Sequence, residues 1–111
     1  MSGDGPHALS VDVEDWFQVL NLARHVDRSE WDRIGLRCGD STRRLLDLFA
    51  KRDTKATFFF LGWIAERLPS LVAEVASAGH EIGSHGYDHR LLGDLGPEGF
   101  REDLRRTSAI L

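Results

Sequence analysis

Short strand-forming runs alternate with longer helical repeats along the 111-residue sequence. The strand-forming runs occupy residues 7–13, 56–61 and 80–84, and the second reads Ala-Thr-Phe-Phe-Phe-Leu. A continuous apolar run of this length is typical of a strand that is covered on both faces in a parallel sheet. Residues 16–39 mix aromatic and charged positions without a clear period, which predicts a long loop with a helical turn or two.

Three helices are predicted to follow these elements. They cover residues 41–52 after an N-cap at Asp40, residues 63–79 with a break at Pro69, and residues 97–111 after Gly96. In the last helix we expect Phe100, Leu104 and Leu111 to contact the core, and Glu102 to pair with Arg106 at i,i+4. Strands that alternate with helices predict right-handed crossovers, and therefore an α/β fold of about three β/α units with parallel strands.

Chemically active side chains follow the first and the third predicted strand. Asp12, Glu14 and Asp15 come at the end of the first, and His85 and His89 come after the third. In α/β folds with parallel strands, functional residues collect at the C-terminal ends of the strands. We therefore expect the acids and the histidines to meet on one rim of the sheet.

Two neutral imidazoles and one carboxylate form a three-ligand set that leaves a coordination position open for water. A second carboxylate beside such an ion is able to accept a proton from the attacking water. Side chains alternate in direction along extended backbone, so Asp12 and Glu14 point one way and Asp15 the other. This alternation favours Glu14 over Asp15 as the ligand but leaves both open. Gly86, after the first histidine, is expected to remove side-chain bulk at a close approach.

Composition and charge exclude several other classes of protein. The net charge of −4 and the pI near 5.7 give no basic surface for nucleic acid or an anionic membrane. Cys38 is the single cysteine, which excludes a disulfide within the chain and a cluster of thiolate ligands. The N-terminus lacks a signal-peptide pattern and no apolar run is long enough to span a bilayer, so a cytoplasmic location is expected.

Three motifs in this order, SVDVEDW, TKATFFFLG and GHEIGSHGYDHR, resemble the polysaccharide deacetylases, the NodB-homology group of carbohydrate esterases. The D-V-E-D-W motif is similar to a subgroup associated with exopolysaccharide loci. The resemblance runs from Ala8 to the end of the chain. It implies a distorted (β/α) barrel that hydrolyses N-acetyl or O-acetyl groups of sugars with a divalent metal, usually zinc. It also implies roles for five residues: Asp12 as catalytic base, His85 and His89 as metal ligands, and Glu14 or Asp15 as the acidic ligand.

The sequence departs from the family pattern after His89. An R-x-P motif that orients the base and a late histidine that acts as general acid are expected there, and neither is found before Leu111. We therefore interpret residues 1–111 as the N-terminal part of a polysaccharide deacetylase domain, truncated before the later motifs. Three β/α units cannot close a barrel, and exposed strand edges favour self-association of the chain.

The favoured function is hydrolysis of acetyl groups from the N-acetylated sugars of a polysaccharide, with zinc as the expected ion. Two alternatives stay open: an allantoinase-like amidohydrolase that acts on a non-sugar C–N bond, and an inactive metal-binding fragment. Trp16 and Tyr87 are candidates for substrate contact, and Trp63 is expected in the core. Trp16, Phe17 and Trp31 could each stack on a sugar face, but packing of the loop is the favoured role of all three.

Overall fold

The computed structural model describes residues 5–111, and its centre is a three-stranded parallel sheet in the order β1-β2-β3. The strands are β1 (Ser10–Val13), β2 (Thr57–Phe60) and β3 (Glu81–Ser84). In the register of the sheet, Asp12 lies beside Phe59, and Phe59 lies beside Gly83. The predicted α/β class with parallel strands is thus confirmed. Both outer strands are edges within the described chain, and the prediction of self-association rests on these edges.

Four α-helices and three short 3₁₀ helices surround the sheet. The α-helices are α1 (Cys38–Lys51), α2 (Gly62–Arg67), α3 (Pro69–Ser77) and α4 (Leu92–Ile110), and the 3₁₀ helices are Trp16–Gln18, Leu20–Leu22 and Arg28–Arg33. The 3₁₀ helices lie within the predicted long loop, and Pro69 begins α3 where a break was expected. Within residues 5–111, no helix combines the length and the apolarity that a membrane crossing requires.

One helix starts earlier than predicted, and another is preceded by a helical segment that was not predicted. Helix α1 begins at Cys38, so Asp40 lies in its first turn and is not the N-cap. Helix α4 begins at Leu92 and bends at Gly96, where φ is 69° and ψ is 175°, so the helix predicted to begin after Gly96 is its second segment. A left-handed backbone conformation of this kind costs glycine little, so the chain continues through the bend into a second helical segment.

The main core lies on one face of the sheet. Phe58 and Phe60 of β2 are fully buried there, together with Leu71 and Val75 of α3. Phe59 points to the opposite face, which is only partly covered. The prediction that β2 is covered on both faces is therefore correct for one face and wrong for the other within the described chain.

The orientation of α4 differs from the one predicted. Phe100, Leu104 and Leu111 are all exposed, so the predicted core contacts are wrong. The fully buried residue of this helix is Thr107, whose side chain would lie 3.1 Å from a Cβ placed on Gly62. Because α2 and α4 approach each other this closely, the face of α4 that carries Thr107 is the buried one.

The predicted ion pair between Glu102 and Arg106 is also wrong. Arg105 Nη2 contacts Glu102 Oε1 at 2.6 Å, which is an i,i+3 pair. The guanidinium of Arg106 donates instead to the hydroxyl of Tyr87 at 2.8 Å. The orientation of α4 that buries Thr107 places Arg106 against Tyr87 and 3.7 Å from Glu66 of α2.

An aromatic cluster fastens the long loop to α2. The rings of Phe17, Trp31 and Trp63 lie with their centroids 5.3–6.1 Å apart, and all three side chains are buried. The guanidinium of Arg67 covers Trp63 at 3.7 Å from its ring centroid and donates to Asp32 of the loop. The predicted packing roles of Phe17, Trp31 and Trp63 are thus confirmed, and the loop is held close to the strand ends.

Candidate metal centre

The C-terminal ends of β1 and β3 bring the predicted acids and histidines together. Asp12 is the third of the four residues of β1, and Glu14 follows immediately after that strand. His85 follows β3, and its N–H donates to the carbonyl of Phe60 at 2.9 Å, which continues the ladder beyond the strand. Parallel strands in register therefore deliver both groups to one rim.

Glu14, His85 and His89 form a compact group on this rim. Glu14 Oε2 lies 3.1 Å from His85 Nε2 and 3.2 Å from His89 Nε2. One potential ligand atom from each residue lies within 4.8 Å of the other two, and all three side chains are partly buried. The two imidazole rings stand nearly perpendicular, with centroids 5.2 Å apart.

The donor set fits a divalent transition metal. Bonds of about 2.0–2.1 Å at tetrahedral angles separate ligand atoms by about 3.3–3.4 Å. The two separations between carboxylate oxygen and imidazole nitrogen, 3.1 and 3.2 Å, are close to this value. Two nitrogens and one oxygen also suit zinc better than calcium or magnesium, which take oxygen ligands.

Asp12 lies beside this group. Its Oδ2 is 3.7 Å from His85 Nε2, and its side chain is 55% exposed. Asp12 and Glu14 are two residues apart on extended backbone, which explains why both carboxylates reach the same side of β1. The position leaves one carboxylate free to meet a solvent molecule next to the three potential ligands.

Asp15 is not part of the group, because its carboxylate accepts hydrogen bonds from backbone N–H groups. Oδ2 accepts hydrogen bonds from the N–H groups of Arg37 at 2.7 Å and Cys38 at 2.9 Å, and Oδ1 accepts from Trp16 at 3.0 Å. Asp15 thus caps the start of α1 across 22 residues of sequence, which explains why Asp40 is not needed as the N-cap.

Asp15 also caps the 3₁₀ helix Trp16–Gln18, and this local interaction is visible in the sequence. The side chain of Gln18 accepts a hydrogen bond from the backbone N–H of Asp15 at 2.7 Å, and the two residues form a capping box. An acid followed three residues later by glutamine is a known N-terminal signature of helices. The Asp15–Gln18 spacing is therefore the local signal for a structural role of Asp15.

The backbone of the loop after β3 is shaped by residues with positive φ. Gly86 has φ 80°, and a Cβ placed on it would meet only a carboxylate oxygen of Asp103 at 3.5 Å. The expected removal of bulk is therefore wrong, and the left-handed conformation is what requires glycine. His89 also has a positive φ, 64°, although it carries a side chain.

Tyr87 ties this loop to two helices and is turned away from the metal-ligand group. Its hydroxyl donates to Glu66 of α2 and accepts from Arg106 of α4, whose guanidinium covers the ring at 3.6 Å. Its N–H donates to Asp103 at 3.1 Å. Burial, together with the adjacent Glu66 carboxylate, raises the pKa of the Tyr87 hydroxyl. Through these contacts Tyr87 anchors the loop to α2 and α4.

Trp16, the other candidate for substrate contact, lies next to the acids. Its side chain is 46% exposed and meets Phe17 edge to face at 5.6 Å. A groove of about 290 Å³ is lined by Trp16 together with Asp12 and Glu14. An exposed indole in a groove beside the two carboxylates is well placed to contact a ligand.

Arg28 is a residue of this region that the sequence pattern does not reveal. Its guanidinium donates to the carbonyl of Asp88 at 3.1 Å, across 60 residues of sequence. The side chain of Asp88 contacts Arg28 at 3.7 Å and Arg90 at 2.9 Å. No local spacing predicts a contact between positions this far apart.

A sequence model described as polysaccharide deacetylase matches residues 31–111. The chain is 39% identical over 70 residues to a peptidoglycan-N-acetylglucosamine deacetylase of Bacillus cereus, covering 63% of this chain and 26% of that protein. It is 33% identical over 70 residues to a chitooligosaccharide deacetylase of Rhizobium leguminosarum bv. trifolii, covering 63% of this chain and 33% of that protein.

Among solved structures, a polysaccharide deacetylase of Mycobacterium smegmatis superposes with a TM-score of 0.74 at 31% identity, covering 94% of this chain and 37% of that one. The three β/α units thus have the fold of the N-terminal portion of a distorted (β/α) barrel. The chain spans about a quarter to a third of the length of the two relatives described above. With the family model matching most of its residues, the chain belongs to the polysaccharide deacetylase family.

Proposed function

We propose that this chain carries the metal-binding and proton-accepting part of a hydrolase site that removes acetyl groups from N-acetylated sugars of a polysaccharide. The observation that carries the proposal is the grouping of Glu14, His85 and His89 within 4.8 Å, with the carboxylate of Asp12 beside it. These are the residue types and the arrangement that hydrolysis of an amide by an activated water requires.

Glu14, His85 and His89 would hold a divalent ion, and zinc suits their two nitrogens and one oxygen. When bound, such an ion lowers the pKa of a coordinated water and polarises the acetyl carbonyl. Three protein ligands leave room in the coordination sphere for water and substrate, as in catalytic zinc sites. The partial burial of the three side chains keeps the ligands in place while the rim stays accessible.

Asp12 would accept the proton of the attacking water. Its carboxylate lies 3.7 Å from His85 Nε2, next to the ligand set, and is more exposed than the other three side chains. General-base catalysis of this kind contributes about 10²–10⁴-fold to the rate. Asp12 is therefore expected to affect turnover strongly and metal affinity weakly.

The names of the relatives support an N-acetylated sugar as substrate. One is named for peptidoglycan N-acetylglucosamine and another for chitooligosaccharide. The groove beside Asp12 and Glu14 contains the exposed indole of Trp16, and a flat aromatic face suits the C–H face of a sugar. These observations favour a sugar amide over the non-sugar C–N bond of an allantoinase-like enzyme.

Metal analysis and acetate release test the proposal together. We expect about one divalent ion per chain, and loss of tight zinc binding in His85→Ala, because that variant lacks one of the three potential ligands. Acetate released from an N-acetylated chitooligosaccharide should fall by about 10²–10⁴-fold in Asp12→Asn, which keeps its metal. A wild-type chain without affinity for divalent ions would refute the proposal. A chain that binds zinc but releases no acetate would limit the function to metal binding.

A further inference from the structure

We propose that Arg28 is a positioning residue for the metal centre: its guanidinium holds the backbone of Asp88 and His89 so that the His89 imidazole stays against Glu14. This inference rests on the proposed function, because it concerns the same three ligands. Arg28 would act entirely through the backbone of His89, without touching an ion or a substrate.

The guanidinium of Arg28 reaches two consecutive carbonyl groups. Nε and Nη2 both donate to the carbonyl of Asp88, at 3.3 and 3.1 Å, and Nη2 also donates to the carbonyl of His89 at 3.4 Å. Nε lies 3.7 Å from Asp88 Oδ2 as well. A planar fork of donors is suited to such a multiple contact, since its geometry is fixed before it binds.

The backbone that Arg28 contacts needs such a restraint. His89 has φ 64°, a left-handed conformation that residues other than glycine disfavour. It also lies in the loop between the end of β3 and Leu92, where α4 begins. Within residues 5–111, no backbone N–H donates to the carbonyl of Asp88 or His89. Arg28 therefore supplies the hydrogen bonds that the loop lacks.

Arg28 is itself fixed by the loop to which it belongs. Its guanidinium lies 5.4 Å from the ring centroid of Trp31, which packs in the buried cluster with Phe17 and Trp63. Asp27 caps the 3₁₀ helix that begins at Arg28 by accepting from the N–H of Ser29. The long loop would thus shape the metal centre although it contributes no ligand.

The sign of the effect separates positioning from simple electrostatics. Arg28 is a cation, and removal of a positive charge near a divalent cation strengthens binding of that cation. Loss of a group that orients a ligand has the opposite effect, because the ligand spends less time in the binding geometry. Weaker binding in a variant without the charge is therefore evidence of positioning.

Zinc affinity, measured by competition with a chelator, tests the inference. We expect Arg28→Ala to bind zinc about 10–100-fold more weakly than wild type, with a changed visible absorption band in the cobalt-substituted protein. Arg28→Lys keeps the charge but offers a single nitrogen, so its zinc affinity should lie between those of wild type and Arg28→Ala. Arg67→Ala is the matched control, because Arg67 anchors the same loop through Asp32 and Trp63 without touching His89.

Unchanged or tighter zinc binding in Arg28→Ala would overturn the inference, and so would an equal loss in Arg67→Ala, which would indicate general loosening of the loop. If thermal unfolding shows that Arg28→Ala does not fold, Arg28→Lys carries the test, and wild-type affinity in that variant refutes the role. Failure of the wild-type chain to bind zinc would instead refute the proposed function. Weaker binding confined to the Arg28 variants supports the inference.

Discussion

Replacement of Asp15 by asparagine separates the structural acid from Glu14, the acid proposed as a metal ligand. Asp15 and Glu14 are adjacent in sequence, but Asp15 accepts three backbone hydrogen bonds whereas Glu14 faces His85 and His89. We expect Asp15→Asn to lower the stability of the metal-free protein strongly. Glu14→Gln should leave that stability nearly unchanged and abolish tight zinc binding.

The size of the effect follows from the contacts of the Asp15 carboxylate. The side chain is 3% exposed, so the three N–H groups that it accepts from have little access to water. A hydrogen bond to a charged group contributes about 1.5–3 kcal/mol to stability. Asparagine keeps one acceptor oxygen without the charge and turns an NH₂ group toward a donor. The expected loss is about 2–4 kcal/mol, a large part of a typical domain's ~5–15 kcal/mol.

Urea unfolding of the metal-free proteins at pH 8 measures this difference. The midpoint of Asp15→Asn should fall by about 1–3 M relative to wild type. Among residues 5–111, the ion-pair partners of the partly buried Glu14 carboxylate are the imidazoles of His85 and His89. Glu14→Gln should therefore change the free energy of unfolding by less than about 1 kcal/mol. Zinc titration in the absence of urea then compares the metal affinities of the folded variants.

The opposite pattern would refute the assignment of the two acids. If Asp15→Asn keeps wild-type stability and loses zinc, Asp15 is the ligand and its capping contacts are energetically unimportant. If Glu14→Gln binds zinc as tightly as wild type, the group of Glu14, His85 and His89 is not the metal site.

Two further predictions concern buried titratable groups. Burial, with a smaller contribution from Lys55, lowers the pKa of His80, whose Nδ1 accepts the N–H of Ala56 at 3.1 Å. The unfolded chain therefore binds more protons, and stability should fall as pH drops below about 6.5. Urea unfolding should show a lower free energy of unfolding at pH 5 than at pH 7.5, and this loss should be smaller in His80→Gln than in wild type. Burial, with the nearby Asp15 carboxylate, raises the pKa of the Cys38 thiol to about 12, so alkylation at pH 8 should be negligible until the chain unfolds. Rapid alkylation of the native protein would contradict that burial.

The linear sequence determines the fold class and the neighbourhood of the site. Apolar runs of strand length alternate with helical repeats, and this alternation permits few arrangements other than a parallel sheet with helices. The end of a strand is visible in the sequence, so the rim that carries Asp12, Glu14, His85 and His89 follows from strand order alone. The resemblance to polysaccharide deacetylases rests on the same residues, because the motifs occupy these strand ends.

Long-range contacts determine what the pattern leaves open. The choice between Glu14 and Asp15 depends on the N–H groups of Arg37 and Cys38, which reach the Asp15 carboxylate only after the loop has folded back. The buried face of α4 likewise depends on the approach of Thr107 to Gly62, and periodicity alone selected the wrong face.

The sequence by itself placed two histidines and three acids on one rim, because the strand-forming runs and the residues that end them are visible in the sequence. Only the tertiary structure distinguished the roles of these residues. It showed that one acid caps a helix, that another meets both imidazoles, and that Arg28 reaches the backbone of His89 across 61 residues. The partners in these contacts lie far apart in sequence, and among the structural features of these residues local spacing records only the capping box of Asp15 with Gln18.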